Sequence, residues 1–246
     1  MKKLEKGMLV VGFLSRGMFI PGIIVSILLI VTNYILVSVG HFGYWQLLSE
    51  IVSGSGMQIA YTAAVVVVMA ALAAVIASRW IGSKSMITLS MLPTGRMWIF
   101  AGWVFGGTIA LLLLAAAMNF SVNIAEVVLR DKTALKASQG IYVYTEPNAL
   151  WYTYVRVGFL SWVCPDDFNS WVRFALVTVG APIVTVRATL GFLANRPFSS
   201  LLSLGCYILS CVLMTSDAGV TNFFTLIVVI IAVIRAYGLL KEGETI

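Results

Sequence analysis

The chain has 246 residues, of which 60% are hydrophobic and 11% are charged, and its mean hydropathy is +0.99. Because ordinary globular domains have about 25% charged residues, this composition excludes a typical water-soluble fold and predicts a membrane protein. The net charge of +6 comes from Lys and Arg residues between the apolar runs, without the interleaved aromatics of a nucleic-acid-binding patch, so we expect no nucleic acid as a partner.

The chain begins with a short basic segment that precedes the first long apolar run. The basic residues of this segment, which covers residues 1–16, are Lys2, Lys3, Lys6 and Arg16. The segment also has an apolar stripe, and no small-residue cleavage site precedes the apolar run that follows. The pattern therefore predicts a retained cytoplasmic amphipathic helix that lies at the membrane interface, rather than a signal peptide.

Six apolar runs predict six transmembrane helices. A helix needs about 20 apolar residues to cross the hydrocarbon core of a bilayer. The predicted spans cover residues 19–40, 57–78, 97–118, 171–194, 199–215 and 221–237. The fifth is the shortest. The fourth contains Arg173 and Arg187 near its two ends, where long side chains are expected to extend toward the lipid headgroups.

An aromatic-rich segment at residues 150–163 precedes the fourth span. Trp and Tyr side chains are common at membrane interfaces, and Arg156 lies in the middle of this segment. We therefore expect an interfacial or re-entrant helix here rather than a seventh crossing, which would place the two termini on opposite sides.

The distribution of basic residues predicts the orientation. With six spans, most Lys and Arg residues fall on the side of the two termini, whereas the short opposite loops carry only Glu50 and Asp217 as charges. By the positive-inside rule both termini are cytoplasmic, and the longer connection 119–170 is extracytoplasmic. No linker divides the chain, so residues 1–246 are expected to form a single all-α, polytopic transmembrane domain.

No familiar catalytic or metal-binding motif occurs in the sequence. There is one histidine, His41, and no phosphate-binding loop of the G-x-x-x-x-G-K-(S/T) type. The predicted spans hold no carboxylate, and three cysteines without C-x-x-C spacing do not suggest a metal site. We therefore expect neither an enzyme nor a cofactor or metal in this chain. Glu126, just after the third span, is interpreted as an ordinary carboxylate.

The connection at residues 79–96 has the most informative pattern among the predicted cytoplasmic segments. Met86, Leu89 and Leu92 recur with helical spacing, which predicts a short helix lying along the membrane. Pro93 then ends this helix, and Arg96 anchors the start of the third span. Such a connection can present a stiff surface to a cytoplasmic partner, although an ordinary interfacial connection has the same pattern.

The run Met-Leu-Pro-Thr-Gly-Arg at residues 91–96 resembles the Leu-Pro-x-(Ser/Thr)-Arg turn of ABC-2-type transporter permeases. In that family the turn also lies between the second and third of six spans, and the segment 1–16 resembles the family's connecting helix. Here Gly95 stands where the usual hydroxyl residue would be. The outer connection 119–170 is longer than in minimal members, and the turn between spans five and six is short.

This resemblance implies a permease subunit of an ATP-driven exporter that moves antimicrobial peptides, drugs or lipids. The membrane that it implies is a cell membrane, in keeping with the family the bacterial cytoplasmic membrane. ATP would be bound and hydrolysed by separate cytoplasmic ABC ATPase subunits, and a second permease copy or a related permease would complete the transporter. The implied ATPase-coupling residues are Ser83, Lys84, Met86, Leu89, Leu92, Pro93 and Arg96.

Other functions remain open from sequence alone. A non-transporting assembly or accessory subunit of a larger membrane complex would use the same spans as a scaffold, while a secondary transporter, a channel and a membrane enzyme are further alternatives. Gly102 and Gly106 form a G-x-x-x-G pattern on the third span, which lets a neighbouring backbone approach closely. The neighbour is predicted to be another helix of the same chain or, alternatively, a second copy at a dimer seam.

Overall fold

The computed structural model describes residues 2–40, 47–81, 97–141, 148–213 and 218–242, and these residues are almost entirely helical, with no strand among them. The helices are α1 (Lys2–Val39), α2 (Leu48–Gly54), α3 (Met57–Ile81), α4 (Met97–Ser138), α5 (Ala149–Arg156), α6 (Phe168–Thr178), α7 (Gly180–Leu193), α8 (Pro197–Leu213) and α9 (Ala218–Glu242), with a 3-10 helix (Gly158–Trp162) between α5 and α6.

Within the described ranges, five helical stretches are long and apolar enough to cross a membrane: residues 7–39, 57–79, 97–138, 168–193 and 221–239. The prediction of an all-α, multi-pass membrane protein is therefore confirmed. The predicted fifth span, 199–215, corresponds to α8, an apolar helix of 17 residues. That length is at the lower limit for a crossing.

The first helix is longer than predicted, because α1 runs without interruption from Lys2 to Val39. A separate interfacial helix over residues 1–16 was expected, but this segment is the first part of α1. The reason is packing: Val10 and Leu14 are buried. Leu14 contacts α4 at Gly102. These contacts direct the segment along α4.

The third long helix also exceeds its predicted bounds, since α4 has 42 residues and ends at Ser138. The predicted outer connection 119–170 therefore starts with a continuation of this helix. Ser121, Val122 and Ala125 stay buried, which extends the packed face beyond residue 118. Two residues after the end of α4, Gly140 has a φ of +76°, a left-handed conformation that glycine adopts readily and that often terminates a helix.

The predicted fourth span consists of two helices that meet at Val179. Pro182 lies in the first turn of α7. A proline has no N–H to donate to the carbonyl four residues earlier, here that of Thr178, so a continuous hydrogen-bond ladder is not possible at this point. Gly180 packs where a Cβ would lie 3.0 Å from Val229 of α9, which brings these two helices close together.

Helix α1 and helix α4 run parallel to each other over most of their length. A Cβ at Gly7 would lie 2.5 Å from the Trp98 indole, near the start of both helices, and a Cβ at Gly22 would lie 3.0 Å from Ala110. At the far end, the Lys132 ammonium donates a hydrogen bond to the carbonyl of Ser38 at 2.8 Å. The pair therefore forms a continuous two-helix unit.

The short helices lie at the end of the bundle where α1 stops. Helix α2 follows α1 and packs on α5. An eight-residue helix such as α5 rises only about 12 Å, so the segment 150–163 is too short in each of its helical pieces to cross a bilayer. Because α6 and α7 start from this layer, α7 runs back toward the end where α1 begins.

The buried core lies between α1, α3, α4 and α7, whereas the outer faces of the long helices remain apolar and exposed. The largest fully buried side chains include Trp103, Leu14, Met18, Leu72 and Leu114. Exposed apolar side chains include Leu9, Ile20, Ile59, Val66, Phe120 and Phe223. Such an outer surface is stable in lipid, where apolar side chains meet an apolar solvent.

Candidate functional site

The ATPase-coupling residues predicted from sequence lie outside the described residues, since the structure describes nothing between Ile81 and Met97. These residues are Ser83, Lys84, Met86, Leu89, Leu92, Pro93 and Arg96. The structure does describe the two helices that bracket this segment, α3 on one side and α4 on the other.

Both bracketing helices pack on the N-terminal part of α1. The Arg79 guanidinium, near the end of α3, lies 5.2 Å from the centre of the Phe13 ring. A guanidinium over an aromatic face at this distance makes an attractive cation–π contact. At the start of α4, the Trp98 indole lies against Gly7. The end of α3 and the start of α4 therefore both pack on the same stretch of α1.

The two glycines of the G-x-x-x-G pattern face α1 of the same chain. A Cβ at Gly102 would lie 3.0 Å from the Leu14 Cβ and 3.2 Å from the Val11 Cα, and a Cβ at Gly106 would lie 3.0 Å from the Ser15 Cα. The glycines thus let the two backbones approach closely, as small residues do between membrane helices. Both positions are therefore covered by α1 of the same chain.

The neighbouring Gly107 faces a different side of α4. A Cβ there would lie 2.9 Å from Leu72 of α3 and 2.9 Å from Pro182 of α7. Helix α4 therefore contacts α1, α3 and α7 at nearly the same height through the neighbouring Gly106 and Gly107. This makes α4 the central helix of the bundle.

Most of the polar side chains buried in the described parts of the bundle are serine and threonine hydroxyls, several of which donate to a carbonyl of their own helix. The Asn33 amide is within 3.5 Å of the Met118 sulfur, and both amide atoms of Asn222 are buried without a hydrogen-bond partner. The described residues contain no group of three or more His, Cys, Asp or Glu side chains that could hold a metal ion. Among the buried residues that the structure describes, Arg187 is the one with a charge.

Arg187 does not extend toward the headgroups as the sequence analysis expected. Its side chain is only 2% exposed and is directed at α8. The guanidinium donates hydrogen bonds to the carbonyl and the hydroxyl of Ser199 and to the hydroxyl of Ser203. Since a buried charge requires partners, the two serines, one turn apart on α8, explain why this arginine is retained inside.

A cavity of about 290 Å³ lies beside Arg187, between α7, α8 and α9. The residues that line it are Arg187, Gly191, Arg196, Ser199, Ile234, Arg235, Gly238 and Leu239. Three of them are arginines, and among these described lining residues there is no Asp or Glu. The described lining of the cavity is therefore positively charged.

No family model matches the chain, and no match was found among curated proteins or among solved structures.

On the side of α2 and α5, polar residues fix the start of α6. The Asp167 carboxylate accepts a hydrogen bond from the backbone N–H of Ser170 at 2.6 Å, which is the usual arrangement at a helix N-terminus. Hydrogen bonding to Ser170 holds the pKa of Asp167 below its ordinary value, and the nearby Arg173 acts in the same direction. In the same layer, burial raises the pKa of Tyr154 to about 12, so this phenol stays protonated.

Sequence reasoning found the glycine pair but did not find the arginine cavity. Arg187, Arg196 and Arg235 lie on three different helices or their ends, separated by up to 48 positions in the sequence. The one available signal was the pair Ser199 and Ser203, which lie on one face of α8 and can accept hydrogen bonds from a buried cation. Nothing in the apolar periodicity showed that this face meets Arg187.

Proposed function

We propose that this chain is the membrane-spanning permease subunit of an ATP-driven ABC-2-type exporter, coupled to a separate cytoplasmic ATPase through the connection 79–96. One observation carries the proposal. The family-like turn at residues 91–96 falls between α3 and α4. The described ends of these helices, at Arg79 and Trp98, pack on the same stretch of α1. A partner that binds the connection would therefore act directly on the central helix pair.

In the proposed mechanism, the α1–α4 pair transmits movement from the connection to the opposite side of the membrane. Helix α4, at 42 residues, is about 63 Å long, roughly twice the hydrocarbon thickness. The close contacts at Gly102 and Gly106 make α1 move together with α4. A displacement at Met97 would then reach the outer layer near Ser138, where an exported molecule would leave.

The partners follow from the proposal. ATP would be bound and hydrolysed on the partner ATPase, not on this chain, and a second permease copy or a related permease would form the other half of the pathway. Since Gly102 and Gly106 are covered by α1, that second permease would contact other surfaces. Amphiphilic substrates such as antimicrobial peptides, drugs or lipids suit the apolar helix surfaces, and both termini would lie in the cytoplasm.

The test is affinity purification of the tagged chain in mild detergent, with mass spectrometry of the proteins that accompany it. We expect a stoichiometric ATPase with a phosphate-binding loop in the complex. Met86→Glu, Leu89→Glu and Leu92→Glu should each release it, because they place a charge on the predicted apolar face. Thr88→Glu adds the same charge between these positions and should leave binding intact.

Two results would contradict the proposal. A complex that contains no ATPase would favour the alternative function, that of an accessory subunit in a larger membrane assembly. An ATPase whose binding survives all three substitutions at Met86, Leu89 and Leu92 would show that the coupling surface lies elsewhere.

A further inference from the structure

The cavity between α7, α8 and α9 has positive groups at two depths. All three arginines line it, but Arg187 is almost fully buried, whereas Arg196 and Arg235 are exposed. Ser199, in the first turn of α8, lines the cavity between them. The N-terminus of a helix carries a partial positive charge and free N–H groups, which adds to the positive character of the site.

Two guanidinium groups converge on one hydroxyl in this cavity. Arg187 donates to the Ser199 hydroxyl, and Arg235 approaches the same oxygen at 3.4 Å. A neutral hydroxyl does not neutralise two positive charges, and like charges at this separation repel each other in a medium of low dielectric constant. An anion between the two groups would turn that repulsion into attraction.

The donors of Arg187 are not all used. Its terminal nitrogens bind Ser199 and Ser203, but its Nε is buried without a hydrogen-bond partner. A buried, unpaired donor on a charged group is costly, and Arg187 also lines the cavity, so an acceptor bound there would lie beside this guanidinium. The guanidinium fork is well suited to the oxygens of a phosphate group, which accept two parallel N–H hydrogen bonds.

We propose that this cavity binds a phosphate group, presented either by an anionic phospholipid or as free phosphate. Its lining also includes the apolar residues Ile234 and Leu239, and Ile234 is 64% exposed on the outer, lipid-facing surface of α9. This combination of arginines and apolar wall matches basic pockets between transmembrane helices that hold lipid headgroups. The inference does not depend on the exporter function proposed above.

The test uses the full chain, purified and delipidated in detergent, with lipid binding followed by native mass spectrometry. The probes are phosphatidylglycerol, the phosphate-free lipid dioleoylglycerol, and inorganic phosphate. We expect phosphatidylglycerol to bind and dioleoylglycerol not to bind. Arg235→Gln should weaken phosphatidylglycerol binding by about tenfold or more, since it removes one charged phosphate contact. Arg16→Gln removes the same charge from an exposed position outside the cavity and should have no effect.

Competition with inorganic phosphate shows whether the bound phosphate group comes from a lipid headgroup or from free phosphate. If phosphate displaces the lipid, the site accepts free phosphate as well; if it does not, the site requires the lipid. A second variant, Arg187→Lys, keeps the positive charge but loses the planar fork, and it should also weaken lipid binding. Three results would overturn the proposal. Phosphatidylglycerol would bind wild type and Arg235→Gln equally well, dioleoylglycerol would bind as well as phosphatidylglycerol, or Arg16→Gln would lose as much phosphatidylglycerol binding as Arg235→Gln.

Discussion

The contact between α1 and α4 at Gly102 leads to a prediction whose size can be worked out from the structure. The substitution is Gly102→Leu. Carbon atoms in ordinary contact are about 3.5–4.0 Å apart. The first added carbon, Cβ, would already lie 3.0 Å from Leu14 and 3.2 Å from the Val11 backbone. To reach normal contact, α1 must therefore move away by about 0.5 Å for the Cβ alone, and by more for the rest of the side chain.

Such a shift weakens the packing along the whole pair. Overpacking a well-filled interior costs about 1–3 kcal/mol, and the displaced contact here includes backbone, which cannot rotate away. Because the backbone cannot move aside, we expect the upper end of this range, about 3 kcal/mol. Replacing a glycine inside a helix recovers about 0.5–1 kcal/mol of helix propensity, so the net loss is about 2–2.5 kcal/mol. For a protein of this size, we expect the melting temperature to fall by about 4–10 °C.

The assay is thermal unfolding of the purified chain in detergent, with Gly12→Leu as the matched control. Gly12 lies on the same helix pair, but a Cβ there would meet no atom within 4 Å. The control should therefore keep or slightly raise the melting temperature. If both variants have the same melting temperature, the inference that α1 closely approaches α4 at Gly102 is refuted. If Gly102→Leu leaves the melting temperature unchanged but reduces the size of a purified complex, the glycine contacts another chain.

Two further predictions concern hydrogen bonds on α6. The lowered pKa of Asp167 means that its hydrogen bond to Ser170 adds stability at neutral pH, and this contribution is lost as the pH falls through the folded-state pKa, below about 4. Asp167→Ala should therefore lower the melting temperature at pH 7, and its difference from wild type should shrink as the pH falls through that pKa. Tyr207→Phe removes the hydrogen bond from the buried phenol to the Leu176 carbonyl, 2.9 Å away, and should cost about 1 kcal/mol, or about 2–4 °C in melting temperature. The exposed Tyr237→Phe should not change the melting temperature, and an equal loss in both tyrosine variants would contradict the role of this bond.

Part of the candidate site could be predicted from the sequence, but the helices that surround it could not. The turn at residues 91–96 and the helical spacing of Met86, Leu89 and Leu92 are local patterns, so they can be read from the sequence directly. The G-x-x-x-G pattern likewise predicted close helix packing. Which helix fills that space, α1 of the same chain, depends on the three-dimensional arrangement.

Arg187 shows why the remaining features were missed. An arginine near the end of an apolar run was expected to extend toward the headgroups, because that is the least costly place for its charge. In the structure, Ser199 and Ser203 offer hydrogen-bond acceptors inside the bundle, and the side chain turns inward. Their proximity results from the antiparallel packing of α7 and α8, which no periodicity in either helix indicates.

The sequence by itself determined that this is an all-α membrane protein and where most of its long helices lie. The physical reason is local: in lipid, every backbone N–H and C=O must be paired within its own helix, and the thickness of the bilayer sets the length of each apolar run. Only the tertiary structure decided that α1 continues along α4, that α4 is central, and that three arginines surround one cavity. These features depend on how helix surfaces fit together, and helices that are apolar on all faces carry little information about which neighbour they will meet.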